Sequence, residues 1–219
     1  YYDGYPLFNL GDPIKVSIEN FYGIEINDFA VSVAATALWI AESQMWHETE
    51  NLVQFDGEFL PLKTNNNIHN KNAFDINWHD VVPPMNLNFI IGNPPFIGAR
   101  YMSDVQKADK IKVFGDDWKY LGSLDYVCCW LYKSLQFMSY NNDIKAAIVA
   151  TNSVCQGEQV PALWTPLFER GITIDCGYQS FPWESEAKDK AHVHCVIIGF
   201  SAKNDGRVKR LFVGNNLYY

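Results

Sequence analysis

The sequence predicts an α/β fold: a mostly parallel sheet with an antiparallel edge pair and helices on both faces. Three observations carry that expectation. Short apolar runs alternate with longer segments of helical periodicity, the pattern of parallel βαβ units. The last two long runs, 172–178 and 192–200, are joined by about a dozen residues without helical periodicity, which suits an antiparallel pair at the sheet edge. Polar residues close the strands or their turns at Glu25, Asn72, Asn93 and Asn152. Sites in such sheets lie beyond the carboxyl ends of the strands, so these four residues are expected to share one cleft.

Each element follows in order. Residues 1–19 form an irregular lead-in, and 21–26 a short strand. Asp28 caps a helix to about residue 46, with Phe29, Val33, Ala37, Ile40 and Ala41 at helical spacing. Residues 47–70 are polar, with Asn65-Asn66-Asn67 reading as a loop. A strand end or turn falls at 72–75. The apolar run 87–91 is a buried strand ending at Gly92. A charged, Gly-containing loop covers 97–122, then a buried helix 124–140 and a strand 145–150. Residues 160–170 form a helix that Gly171 closes. After the pair at 172–178 and 192–200, a turn at 203–206 leads into a final short strand.

Composition narrows the function classes. With 219 residues, 48% hydrophobic and 19% charged, the chain is globular and large enough for one substantial core. No apolar stretch reaches the roughly 18 residues of a membrane span, and the N-terminus lacks the features of a signal peptide. The five cysteines form no C-x-x-C pair and read as buried free thiols of a cytoplasmic protein. The net charge of −8 is the wrong sign for an independent nucleic-acid-binding module. Lys107, Lys110 and Lys112 follow the Asn93 motif, and Lys188 and Lys190 lie near the C-terminal strand; without that motif both groups would read as solvated loops.

Asn93-Pro94-Pro95-Phe96 is the most informative motif. A side-chain oxygen on Asn93 and the carbonyl of Pro94 can accept both hydrogens of an exocyclic amino group. Two prolines fix φ and hold the acceptors still, and Phe96 offers a stacking face for an extruded base. Glu25, ending its strand, can accept the ribose hydroxyls of a nucleoside cofactor, with Ile26 on the adenine face. Asn72 and Asp75 both suit the adenine edge, and periodicity does not separate them. Trp183 and Phe181, in a Pro-containing loop, suit either a base pocket or plain loop packing, whereas the other tryptophans are mostly core by default.

Other chemistries lack support. Ser153, His192 and His194 occur without a G-x-S-x-G elbow, and the two histidines have no third metal-ligand candidate. No phosphate-binding G-x-x-x-x-G-K-[ST] loop occurs.

Several ordered motifs together resemble the catalytic domain of MmeI-like, adenine-specific DNA methyltransferases. They are Phe21-Tyr22-Gly23-Ile24-Glu25-Ile26 with Ala37-Leu38-Trp39-Ile40, Asn72-Ala73-Phe74, and Asn93-Pro94-Pro95-Phe96 with the segment to Ser103. Leu124-Asp125-Tyr126-Val127, Thr151-Asn152-Ser153 with the segment to Gln159, and the strand to Phe200 complete the set. The resemblance implies a Rossmann-like methyltransferase sheet over 21–203, with 204–219 starting a downstream connection. It implies S-adenosylmethionine as cofactor, held by Glu25, Ile26, Asn72 and Ala73, and adenine N6 as acceptor at Asn93, Pro94, Pro95 and Phe96, without metal. It also implies double-stranded DNA, a fused or associated endonuclease and a target-recognition domain as partners in a restriction–modification system.

Amino-methylation of cytosine N4, RNA or a protein amide shares the same acceptor geometry. A non-catalytic interaction domain that retains the fold is a rival from another class. The family's Gly-rich first motif should precede Glu25, but residues 1–20 offer only the turn Gly11-Asp12-Pro13. The chain therefore reads as a fragment that starts after that motif and stops before a recognition domain. It is expected to bind cofactor weakly and to be inactive alone, with the Glu25 strand paired unusually.

Overall fold

A computed structural model describes residues 16–53, 67–183, 193–204 and 206–219. The chain divides into two compact units, Tyr1–Val82 and Pro83–Tyr219.

In the first unit, β1 (Gly23–Glu25) leads into the helix α1 (Asp28–Val53), then β2 (Ile68–Asn70) and one helical turn, α2 (Trp78–Val81). β1 and β2 form a parallel two-stranded ladder of their own, with Glu25 opposite Asn70. Among the described residues, the strand that carries Glu25 pairs with β2 alone. The cap of α1 is Asn27 rather than Asp28: its Oδ1 accepts from the Ala30 N–H at 3.1 Å. The expected apolar stripe is corrected as well. Phe29, Val33, Ala37, Ile40 and Ala41 all lie exposed, while Val31, Ala34, Leu38 and Met45 are half-buried. This helix is apolar on more than one face, so spacing alone does not say which face is covered. The polar stretch 47–70 also hid β2, a three-residue strand too short to show a period.

In the second unit, the elements are β3 (Phe89–Gly92), α3 (Asp104–Phe114), α4 (Cys128–Met138), β4 (Lys145–Thr151), α5 (Thr165–Glu169), β5 (Thr173–Pro182), β6 (His194–Ser201), β7 (Arg210–Val213) and β8 (Asn216–Tyr218). They build one six-stranded sheet in the order β3-β4-β6-β5-β7-β8. β3 pairs parallel with β4 and β5 with β7, whereas β6 is antiparallel to both β4 and β5, and β8 to β7. β3, β4, β5 and β7 therefore run one way, so most strands share a direction as expected.

The antiparallel pairing of 172–178 with 192–200 is present, but it is not at the edge. β6 lies between β4 and β5, and β7 and β8 extend the sheet beyond β5. The reason is burial: Cys195, Val196, Ile198 and Phe200 are all covered, so both faces of β6 are packed. β4 alternates instead, burying Ala146, Ile148 and Ala150 on one face. α4 fills the core with Cys128, Cys129, Leu131, Leu135 and Met138.

The expected loop at 97–122 is also corrected, because it contains α3. Ser103 and Gln106 form a reciprocal capping box at its start, and Gly115 closes it at φ 84°. The segment 160–170 is a wider π turn, Val160–Trp164, running into α5, and Gly171 ends it with φ 93°. Among the described residues, no helix is long and apolar enough to cross a membrane.

Candidate active site

The Asn93-Pro94-Pro95-Phe96 turn leaves the carboxyl end of β3, beside the parallel β4. Gly92 just before it faces Ile148: a Cβ there would lie 3.2 Å from Ile148 Cδ1. Asn93 and Pro95 are exposed, Pro94 is buried and Phe96 is half-buried. Among the described residues, neither the Asn93 carboxamide nor the Pro94 carbonyl has a hydrogen-bond partner. Two adjacent acceptors on a fixed backbone are therefore available to a ligand. The Phe96 ring meets Trp183 edge to face, with centroids 5.6 Å apart and planes at 89°. Trp183 follows β5, and its N–H donates to the Val193 carbonyl at 2.8 Å, tying it to the start of β6.

A buried carboxylate braces this turn. Asp125 Oδ1 accepts from the Ala99 N–H at 2.8 Å, and Oδ2 accepts from Ser153 Oγ at 2.6 Å. Ser153 Oγ also lies 2.6 Å from Thr151 Oγ1, at the end of β4. The Asp125 N–H donates to Gln159 Oε1 at 3.2 Å, and the Tyr126 N–H to the Ile97 carbonyl at 2.9 Å. α3 grips the same segment from behind. Lys110 Nζ donates to the Leu124 carbonyl at 3.0 Å, and Tyr126 OH to Asp109 Oδ2 at 2.6 Å. Burial lowers the Lys110 pKa, opposed by the nearby Cys129, Cys128 and Asp125. Lys110 is thus buried and bonded rather than part of a solvated loop.

In the first unit, Glu25 and Asn72 come together at the carboxyl end of the β1–β2 ladder. The Lys71 N–H donates to the Glu25 carbonyl at 3.0 Å, and Asn70 Nδ2 donates to the Glu25 and Ile26 carbonyls. Glu25 Oε1 accepts from the Asn27 N–H at 2.8 Å, which aims the carboxylate past the strand end. Ile26 is 72% exposed, an apolar face open to a flat ring. Asn72 Oδ1 accepts from the Phe74 N–H at 3.0 Å, closing an Asx turn. The Ala73 carbonyl accepts from Trp78 Nε1 at 2.9 Å, while its N–H has no partner among the described residues. Asp75, the other residue considered for the adenine edge, is exposed.

The remaining residues of interest divide. Lys107 is exposed and ion-paired with Asp104 at 3.0 Å. Lys188, Lys190 and His192 lie outside the described residues, and His194 is exposed on β6. Ser153 faces a carboxylate, the environment of a bracing hydroxyl rather than a nucleophile beside a base. Asn152, at the end of β4 beside the turn's strand, contacts Ser180 Oγ at 3.5 Å. Cys128, Cys129 and Cys195 are buried free thiols, but Cys155 is exposed. No group of metal-ligating side chains occurs among the described residues. Sequence reasoning missed Asp125. The available signal was one acidic residue inside the otherwise apolar run 124–131, where a carboxylate needs partners.

These features define an α/β chain with two adjacent free acceptors on the turn after β3 and, in the other unit, a carboxylate and an Asx turn beyond a short parallel ladder. The chain belongs to the family described as MmeI, DNA-methyltransferase domain, whose match spans residues 7–213. It is 42% identical over 202 residues to DNA methyltransferase A of Bacillus subtilis (strain 168), covering 91% of this chain. The Type IIL restriction-modification enzyme MmeI, solved in complex with DNA, matches 99% of this chain at 36% identity with a TM-score of 0.87. The ATP-dependent Type ISP restriction-modification enzyme LlaBIII, bound to DNA, shares the fold at 14% identity and a TM-score of 0.51, matching 88% of this chain and 15% of its own. The chain spans 23% of the Bacillus protein and 29% of the MmeI chain.

Proposed function

We propose that this chain is the catalytic part of an adenine-specific DNA methyltransferase. It transfers a methyl group from S-adenosylmethionine to adenine N6 within a specific sequence, as part of a restriction–modification system. The observation that carries this reading is a pair of acceptors without partners among the described residues, Asn93 Oδ1 and the Pro94 carbonyl, on the turn that also presents Phe96.

The residues fit the nucleoside half of the cofactor. The Glu25 carboxylate would accept hydrogen bonds from the ribose hydroxyls, Ile26 would pack on the adenine face, and Asn72 with the Ala73 N–H would take the adenine edge. When bound, S-adenosylmethionine supplies an electrophilic sulfonium methyl. Asn93 and Pro94 each accept one hydrogen of the target amino group, which increases lone-pair character on its nitrogen and fixes its direction. Pro95 keeps the turn rigid. Phe96 stacks on the base, with Trp183 closing the far side of the ring. Catalysis is then chiefly orientation.

Residues 21–203 are proposed as the catalytic domain, working in the cytoplasm on double-stranded DNA. With a net charge of −8, most phosphate contacts are assigned to other parts of the protein, namely a target-recognition domain and a fused or associated endonuclease. The MmeI relative, a restriction-modification enzyme in complex with DNA, supports this assignment. The test is to incubate the protein carrying this chain with duplex DNA and labelled S-adenosylmethionine, then identify the modified nucleoside by mass spectrometry. N6-methyladenine is expected; N4-methylcytosine, or label in RNA or protein alone, overturns the adenine reading.

A further inference from the structure

We propose that Asp125 is the positioning residue of the acceptor turn, a buried bracket that locks the segment after Phe96 to the end of β4. The inference rests on the methyl-transfer reading for its catalytic consequence, but its structural half stands alone. Asp125 is 7% exposed, and each of its oxygens is committed to a different element. One takes the Ala99 N–H, three residues past Phe96; the other takes Ser153 Oγ, itself against Thr151. The neighbouring Leu124 and Tyr126 are held by Lys110 and Asp109 of α3, so the bracket has a fixed base. The Tyr126 N–H to Ile97 carbonyl bond adds a second rung beside Ala99.

The consequence is mechanical. Among the described residues, the Asn93 carboxamide and the Pro94 carbonyl have no hydrogen bond to orient them, so their aim depends on the backbone at both ends of the turn. β3 fixes the front end through its pairing with β4. Asp125 fixes the back end to the same β4 strand, through Ser153 and Thr151. An error of a fraction of an ångström in the acceptors lowers the rate without changing cofactor affinity.

The chemistry of the bracket makes a specific distinction. Asparagine at 125 keeps an oxygen for Ala99 and offers an N–H to Ser153, whose hydroxyl then turns to donate to Thr151. Alanine leaves the Ala99 N–H and the Ser153 hydroxyl without this acceptor. Amide hydrogen exchange on this chain, read at Ala99, tests the bracket without reference to catalysis. Exchange is expected to rise by about tenfold or more in Asp125→Ala and to stay near wild type in Asp125→Asn. Unchanged exchange in Asp125→Ala, or equal loss of protection in Asp125→Asn, overturns the bracket.

Methyl transfer by the whole protein tests the positioning role. Asp125→Ala is expected to lower kcat about tenfold or more with KM for S-adenosylmethionine nearly unchanged, and Asp125→Asn to recover most of it. A wild-type kcat in Asp125→Ala, or parallel losses of kcat and cofactor affinity, overturns that role. If Asp125→Ala does not fold, Ser153→Ala is read instead. It removes only the β4 arm and is expected to lower both Ala99 protection and kcat severalfold; wild-type values of both overturn the proposal. Absence of methyl transfer by the wild type refutes the methyl-transfer reading and the catalytic role of Asp125, leaving the exchange result to decide the bracket.

Discussion

The Phe96 ring stands edge-on to Trp183, with centroids 5.6 Å apart and planes at 89°. The contact links the acceptor turn after β3 to the end of β5, two strands that are not neighbours in the sheet. Trp183 is thus part of the wall beside the turn.

Removing either ring should weaken base capture. Stacking on an aromatic side chain contributes about 1–3 kcal/mol per base, so Phe96→Ala is expected to reduce methyl transfer by about ten- to a hundredfold. Trp183→Ala is expected to do so less, because it acts by holding Phe96. Fluorescence of 2-aminopurine at the target position reports the extruded base directly, and both variants should lower the signal.

Glu25 makes a separable prediction about the cofactor. A hydrogen bond to a charged group is worth about 1.5–3 kcal/mol, so Glu25→Ala should weaken S-adenosylmethionine binding by about ten- to a hundredfold. Fold stability should change little, because among the described residues the carboxylate's one hydrogen bond is an exposed contact to Asn27. Calorimetric titration beside a melting curve separates the two effects.

Alkaline pH should loosen the core through the thiols of α4. Burial pushes Cys129 from an ordinary value of about 9 up to about 12, and raises Cys128 well above that ordinary value. Raised folded values mean the stabilisation is complete below about pH 9 and is lost as pH climbs toward 12. One pH unit above the unfolded value costs about 1.4 kcal/mol per thiol. Urea unfolding at pH 8 and pH 10 should therefore show a clear fall, and Cys129→Ala should reduce it by about one thiol's share.

Gly199 is expected to tolerate no side chain. A Cβ there would overlap the Cys176 sulfur on the neighbouring β5, beside a register shift in that pairing. Gly199→Ala should cost about 1–3 kcal/mol in denaturant unfolding, the usual range for overpacking. Pairing it with Cys176→Ala, which removes the overlapping atom, should recover most of the loss.

Much of the fold is legible in the sequence where residue chemistry is unambiguous. Proline and asparagine after an apolar run mark the β3 turn, and Gly171 marks the end of α5. The misreadings have physical causes. β6 is apolar at nearly every position, the pattern of a strand packed on both faces, yet the helix-free connection to β5 drew it to the edge. Helix α3 is rich in charge and reads as a loop, although Ser103 and Gln106 have capping-box spacing. The apolar stripe chosen on α1 is the exposed one, because periodicity does not identify the covering element. Of the candidate site, the placement of Glu25 and Asn93 at strand ends is legible, but the hydrogen bonds of Asp125 are not. Its role depends on Ala99 and Ser153, each more than two dozen residues away, and pairing at that distance leaves no mark on local spacing.

Asn93→Ala tests the central claim most directly. Methyl incorporation into duplex DNA should be measured beside calorimetric binding of S-adenosylmethionine, using the protein that carries this chain. Loss of one of the two amino-group acceptors is expected to abolish methyl transfer while cofactor affinity stays within about twofold of wild type. Wild-type turnover in the Asn93 variant would contradict the account and remove this turn from the mechanism.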